Sequence, residues 1–158
     1  MADFSHYDDD GSSRMVDISP KAVTVRSAGA RAMVRMNAET LRMIREKLIP
    51  KGNVFEVAKV AGILAAKRTH ELIPMCHPLS LNYIDVKCDI DESRGGVVIS
   101  SEIRLDGKTG AEMEALMAVT VAALTVYDMC KAVDKTMIIE DATLVYKKGG
   151  KSDFHTAM

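Results

Sequence analysis

The segment at 111–133, AEMEALMAVTVAALTVYDMCKAV, limits the possible folds of this 158-residue chain more than any other. Its spacing predicts a helix whose middle is apolar all round, with almost no polar face. A helix of this kind has to be covered on more than one side. Because the chain is small, we expect another subunit to supply the second cover. The sequence therefore predicts an oligomer.

Composition excludes several function classes. The net charge of −1 provides no overall field that would attract nucleic acid, and 4% aromatic residues without any Trp argue against base-stacking platforms. The run at 115–126 is too short for a membrane span. Three widely spaced cysteines are typical of thiols in a reducing compartment, so we expect a cytoplasmic protein that binds neither nucleic acid nor membrane.

The pattern of apolar residues and turn signals predicts one domain over residues 15–148. It lies between a polar, disordered N-terminal tail, residues 1–14, and a flexible C-terminal tail, residues 149–158. The predicted elements are a strand at 22–36 with a bulge at Gly29, a helix capped by Asn37, a helix at 54–69, strands at 81–90 and 96–105, the long helix, and a strand at 136–147. This order predicts an α+β, ferredoxin-like sandwich, an antiparallel sheet with helices packed on one face.

The stretch KRTHELIPMCHPLS, residues 67–80, combines histidines, a cysteine and two prolines. A zinc motif would need a second histidine where Pro74 stands, so we predict no metal site. Cys76 is a weak candidate nucleophile because its neighbour His77 points the opposite way in extended chain. Two interpretations remain open. The prolines hold either an anion-binding turn or a tight loop after a helix C-terminus.

The stretch LDGKTGAEMEA, residues 105–115, resembles the end of a phosphate-binding loop, but Glu102 stands where that motif needs its first glycine. The spacing of Thr109 and Glu112 instead predicts a capping box at the start of the long helix. Glu112 therefore has either a structural or a functional role.

Glu114 and Asp128 are fourteen residues apart on the long helix, which places them within about 40° of each other on one face. Lys131 follows Asp128 at i+3, a spacing that favours a charge pair. Such a pair is often solvated and without function. Because this helix is so apolar, we expect the pair to be partly desolvated, which favours a functional role.

Two long blocks of the sequence resemble the cyclic pyranopterin monophosphate synthases, the C proteins of molybdenum cofactor biosynthesis. The first is KGNVFEVAKVAGILAAKRTHELIPMCHPL, and the second is GKTGAEMEALMAVTVAALTVYDMCKAVDK. The shorter motifs MVDIS and KKGGKS extend the resemblance from residue 15 to residue 152. In that family the fold is ferredoxin-like and the assembly is a hexamer, a trimer of dimers.

The resemblance implies an enzyme that converts 3',8-cyclo-7,8-dihydro-GTP to cyclic pyranopterin monophosphate and releases pyrophosphate. It implies no cofactor, apart from Mg²⁺ accompanying the triphosphate, and functional coupling to the upstream radical GTP cyclase. The matching catalytic residues are Asp128, Lys131 and Lys51. The matching substrate-binding residues are Met75, Cys76, His77, Glu112, Met113, Glu114, Lys67 and Lys147. Acid–base chemistry near neutral pH suits clustered lysines with depressed pKa values.

Overall fold

The computed structural model describes residues 11–156, and most of the predicted disordered tail at 1–14 lies outside this range. The described residues form five strands and four helices. In order they are β1 (Thr24–Arg35), α1 (Ala38–Arg45), α2 (Val54–Lys67), α3 (Thr69–Leu72), β2 (Tyr83–Asp91), β3 (Gly96–Gly107), α4 (Glu112–Cys130), β4 (Ile138–Lys148) and β5 (Phe154–His155). The short helix α3 and the strand β5 were not predicted from the sequence.

The strands form one antiparallel sheet in the order β2-β3-β1-β4-β5. The first four strands of this order have the split β-α-β arrangement, and α2 and α4 pack on one face, so the predicted fold class is confirmed. The central strand β1 pairs with β3 along its whole length, from Thr24 opposite Gly107 to Arg35 opposite Gly96. Gly95, with a φ of 65°, closes the turn between β2 and β3.

Alternation along the strands separates a core face from an outer face. On β3, Ile99, Ile103 and Leu105 are buried toward the helices, while the alternate residues Ser100, Glu102 and Arg104 are more exposed. The predicted bulge is confirmed, since the register of β1 against β4 shifts after Gly29. The Tyr146 ring covers this glycine so closely that a Cβ there would lie 2.3 Å from a ring carbon.

Helix α4 is covered by the sheet on one side and by α2 on another. The two helices approach closely at Gly62, where an added Cβ would lie 2.7 Å from the backbone oxygen of Ala118. Part of the cover that was expected from another subunit is therefore supplied by α2 of the same chain, while Leu124 on α4 stays 54% exposed. Small residues on both helices, including Ala122, allow α2 of the same chain to fill that place.

A group of exposed apolar side chains lies along α2 and its neighbours α3 and α4. Five apolar residues along this side of the molecule are 45–63% exposed, and we call them the apolar strip. They are Val57, Val60, Leu64, Leu72 and Leu124. Two shallow depressions that share Ala61 and Leu64 run along it. A continuous apolar surface of this kind marks an interaction site in a globular protein.

By length and composition, α4 could cross a membrane. Half of its 18-residue apolar window is nevertheless buried inside the protein. It packs against β1, β3, β4 and α2. We therefore interpret α4 as a core helix, whose apolar character is explained by these contacts.

The predicted capping box at the start of α4 is wrong. The N-cap is Ala111, and no side chain caps this end of the helix. A capping box needs its glutamate at the third helical position, whereas Glu112 occupies the first. The Glu112 side chain therefore does not cap the helix and lies at the surface beside β4.

The buried carboxylate of Asp134 joins the end of α4 to the start of α1. It accepts the backbone N–H of Asn37 at 3.0 Å, the backbone N–H of Thr136 at 2.9 Å and the hydroxyls of Thr136 and Thr40 at 2.7 and 3.3 Å. Burial alone would raise its pKa, but these hydrogen bonds lower it overall. The contact fixes α1, and with it the loop that carries Lys51, against the end of α4.

Candidate active site

The three predicted catalytic residues form one cluster at the C-terminal end of α4. The Lys51 ammonium lies 2.8 Å from one carboxylate oxygen of Asp128 and donates also to its backbone oxygen at 2.9 Å. The Lys131 ammonium lies 2.7 Å from the other carboxylate oxygen. The predicted i+3 pair is confirmed, and Lys51 joins it from the loop before α2. One carboxylate thus holds two ammonium groups.

This cluster is open to solvent, which corrects two expectations. The side chains of Lys51, Asp128 and Lys131 are 46%, 55% and 53% exposed, so the pair is not desolvated. Hydrogen bonds from Lys131 and Lys51 lower the pKa of Asp128 to about 2. The carboxylate in turn raises the pKa of Lys131, so the prediction of a depressed lysine pKa is wrong for this residue within one chain.

A second cluster surrounds a cavity of about 300 Å³ at the other end of α4. Three segments meet there, the turn at 75–77, the start of α4 and the N-terminal segment at 16–21. The lining residues are Val16, Ile18, Lys21, Met75, Cys76, His77, Leu79, Thr109, Gly110, Glu112, Met113 and Glu114. Six of the eight predicted substrate-binding residues are therefore brought together around one cavity.

The turn at 75–77 agrees with one of the two interpretations that the sequence left open, a tight loop after a helix C-terminus, and the anion-binding interpretation stays a prediction. It follows the C-termini of α2 and α3, and it also lines the cavity. The backbone N–H of Cys76 is donated to Ile73 at 3.1 Å, so this amide does not bind a ligand as expected. Burial and the charge of Glu114 raise the pKa of the Cys76 thiol, which disfavours a nucleophilic thiolate.

The remaining two predicted substrate-binding residues are lysines. Lys147 on β4 pairs with Glu112 across 3.4 Å at the edge of the cavity. Lys67 ends α2, and because α2 and α4 are antiparallel it lies at the same end of the helix pair as Glu114. Lys67 does not line the cavity in this structure of residues 11–156.

Glu114 is the most perturbed carboxyl group of the cavity. The residue is only 4% exposed, and burial, together with the negative charge of Glu112, raises its pKa to about 7. At neutral pH both the acid and the carboxylate form of this group are populated. A carboxyl group in this state can both give and take a proton.

The raised pKa makes a prediction about stability. Between about pH 4.5 and 7 the folded state keeps a proton on Glu114 that the unfolded state has lost, so the free energy of unfolding should fall as pH rises through this window. Glu114→Gln should remove that fall, which is at most about 3 kcal/mol. The measurement is urea unfolding at pH 5 and pH 8 at one protein concentration. The exposed Glu71→Gln is the control, and a pH dependence identical in Glu114→Gln and the unchanged protein contradicts the assignment.

Within a single chain the two clusters lie at opposite ends of α4. Glu114 and Asp128 are fourteen residues apart on a continuous helix, which corresponds to about 21 Å along its axis. A complete site would combine the cavity of one chain with the Lys51–Asp128–Lys131 cluster of another. This separation is the strongest geometric argument for an intersubunit site.

Several cavity residues were not identified from the sequence. The segment that contains Val16, Ile18 and Lys21 begins with the motif MVDIS. It has no helical or strand periodicity, so the sequence did not predict its position. Arg26 on β1 was also missed, although its guanidinium braces the loop before α4. It donates to the backbone oxygens of Gly107 and Lys108 at 2.9 and 3.2 Å.

Among residues 11–156, no group of three or more His, Cys, Asp or Glu side chains is placed to hold a metal ion. The cations that face the clusters are lysines. The fold and the two clusters together define an α+β protein whose polar sites are built from lysines, carboxylates and one histidine. This set suits acid–base chemistry on an anionic substrate.

Comparison with known proteins identifies the family. The MoaC family model matches residues 15–150. The chain is 57% identical over 149 residues to the cyclic pyranopterin monophosphate synthase of Oleidesulfovibrio alaskensis, covering 94% of each chain. It is 54% identical over 152 residues to that of Heliobacterium modesticaldum, covering 96% of each, and 52% identical over 157 residues to that of a Methylobacterium species, covering 99% of this chain and 98% of the relative. The chain belongs to the MoaC family.

Proposed function

We propose that this protein converts 3',8-cyclo-7,8-dihydro-GTP to cyclic pyranopterin monophosphate and releases pyrophosphate. The observation that carries the proposal is the identity of 52–57%, over nearly the full length of the chain, to relatives named cyclic pyranopterin monophosphate synthase. The placement of the family-matched residues supports it. They occupy two clusters with the charges that an acid–base reaction on a polyphosphate needs.

A hydroxyl oxygen of the substrate bonds to the α-phosphorus to close the cyclic phosphate and gives its proton to a base. The bond from the α-phosphorus to the oxygen that bridges to the β-phosphate breaks, and pyrophosphate leaves. Ammonium groups stabilise the charge on this leaving group, and Lys51 and Lys131 supply two, held together by Asp128. Glu114 and His77 are the acid–base groups that can move protons on the ring nitrogens and oxygens. We propose that no cofactor is required and that Mg²⁺ accompanies the phosphates.

We propose that the active assembly is a hexamer, a trimer of dimers. Two observations support self-association. The apolar strip along α2 and α4 is exposed in the single chain, and the two clusters lie about 21 Å apart. An interface between chains would cover the apolar strip. It would also bring the cavity of one chain next to the Lys51–Asp128–Lys131 cluster of another. We also propose that the enzyme works in the cytoplasm on a soluble small molecule, in functional coupling with the enzyme that makes the substrate.

Leu64 tests the role of the apolar strip. This side chain is 52% exposed at the centre of the strip, so Leu64→Glu should leave the fold of the single chain intact. Burying a charge against another chain is unfavourable, so the variant should form smaller particles. Light scattering coupled to size-exclusion chromatography measures this, with the exposed Leu48→Glu outside the strip as control. A Leu64→Glu particle of unchanged mass would contradict the role of the strip.

The proposed reaction is tested by incubating the purified protein with 3',8-cyclo-7,8-dihydro-GTP and measuring pyrophosphate and the pyranopterin product. Parallel reactions contain chelator, Mg²⁺ or Zn²⁺. Product formation supports the proposal. Tight binding without product would identify a non-catalytic nucleotide-binding module instead. Absence of any binding would indicate a structural oligomer, and activity restored only by Zn²⁺ would contradict the proposed absence of a metal cofactor.

A further inference from the structure

We propose that residues 16–21 are part of the substrate site, with Lys21 binding the phosphates of the substrate and the backbone of the segment positioning His77. The inference rests on the proposed function and assigns to the same cavity a segment outside its helices and strands. We call residues 16–21 the N-terminal strap.

The strap crosses the cavity and is held at two points. The Nε2 atom of His77 lies 2.8 Å from the backbone oxygen of Val16, and the ammonium of Lys108 donates to the backbone oxygen of Ser19 at 2.8 Å. These partners lie 61 and 89 residues away along the chain. Both belong to loops that border the cavity, so the strap closes one side of it.

The strap is folded as a turn. The backbone N–H of Lys21 donates to Ile18 at 3.0 Å, and the backbone N–H of Ser19 donates to the carboxylate of Asp17 at 2.8 Å. These bonds fix the position of Lys21 relative to the two anchor points. Lys21 is therefore presented at the cavity from a defined backbone conformation.

The charges around the cavity favour an anion next to Lys21. Within residues 11–156, Lys21 makes no ion pair, although it lines the cavity. Of the two glutamates that line the same space, Glu112 is already paired with Lys147, and Glu114 is deeply buried. An exposed ammonium without a carboxylate partner is suited to bind a phosphate group.

The contact with Val16 determines the hydrogen-bonding state of His77. A backbone oxygen can only accept, so the hydrogen of a neutral His77 ring is on Nε2. Nδ1 is then the only acceptor of the ring. The strap thus makes neutral His77 a proton acceptor through a defined nitrogen.

The test of Lys21 uses inorganic pyrophosphate as the probe, with binding measured by isothermal titration calorimetry. Lys21→Met should weaken pyrophosphate binding by about tenfold, and Lys21→Arg should retain it, because charge-assisted hydrogen bonds account for an effect of this size. Lys87→Met is the matched control, since Lys87 is 70% exposed and lies on β2 away from the cavity. In turnover, Lys21→Met should raise KM by a similar factor and change kcat little.

The outcomes separate this inference from the proposed reaction. Unchanged pyrophosphate affinity and KM in Lys21→Met, with normal turnover in the unchanged protein, overturn the role of Lys21 alone. Pyrophosphate binding that depends on Lys21, without turnover of the cyclised nucleotide, supports the strap and overturns the reaction. Nitrogen-15 NMR of labelled histidine, assigned with His77→Gln, should show hydrogen on Nε2, and hydrogen on Nδ1 instead would overturn the positioning of His77.

Discussion

Asp128→Ala should reduce turnover by about 10²- to 10⁴-fold while the oligomer stays intact. Asp128 is the only carboxylate seen to hold both Lys51 and Lys131 among the described residues, at 2.8 and 2.7 Å. Its removal separates the two ammonium groups and lowers the pKa of Lys131, which the carboxylate now raises. The measurements are steady-state kinetics, melting temperature and particle mass on the same preparation.

The matched control is Asp85→Ala, since Asp85 also faces two lysines, Lys59 at 3.4 Å and Lys87 at 3.8 Å, away from both clusters. The melting temperature of Asp128→Ala should change little, because the pair is exposed. Near-normal turnover in Asp128→Ala would remove its catalytic assignment. With a pKa of about 2, Asp128 stays ionised at every pH above about 4, so any inflection near pH 7 has another origin.

Mixing Asp128→Ala with His77→Ala should restore activity to two preparations that are each inactive alone. If every site takes its cavity from one chain and its lysine cluster from the other, half of randomly formed pairs are mixed, and each mixed pair has one intact site. About one quarter of wild-type activity should therefore return. The chains are mixed under conditions that exchange subunits, and turnover is measured afterwards.

The control mixes Asp128→Ala with Lys131→Ala, two lesions in the same cluster. These chains should not restore activity, because every site then lacks one member of the cluster. No recovery in the first mixture, with subunit exchange verified by mass spectrometry, would show that each chain has a complete site of its own. That result would contradict the proposed intersubunit site, which joins two clusters that lie about 21 Å apart within one chain.

The elements that local patterns determine were predicted well from the sequence. Asn37 accepts the backbone N–H of Thr40 at 2.7 Å, as its place before an apolar-periodic segment indicated. Alternation located β1 to β4, and Gly29 marked the register shift. In each of these, neighbouring residues carry the information.

The features that were wrong or missed depend on contacts between distant segments. The desolvation of Asp128 was inferred from the apolar helix around it, but Asp128 lies on the exposed side of the last turn, while Met129 and Cys130 next to it are buried. The strap has no periodicity, and only its contacts with His77 and Lys108 place it at the cavity. The sequence also could not show that Lys51 reaches Asp128, because these residues are 77 positions apart.

The close contact at Gly62 fixes α2 against α4, and with it the geometry of the Lys51–Asp128–Lys131 cluster. Lys51 lies just before α2 and reaches Asp128 near the end of α4, while the two helices touch near their middle at Gly62. A methyl group at that contact would meet backbone, which cannot rotate away, so α2 would have to tilt or shift outward. The distance between a lysine just before one helix and a carboxylate on the other is therefore set several turns away, by a residue that has no functional group at all.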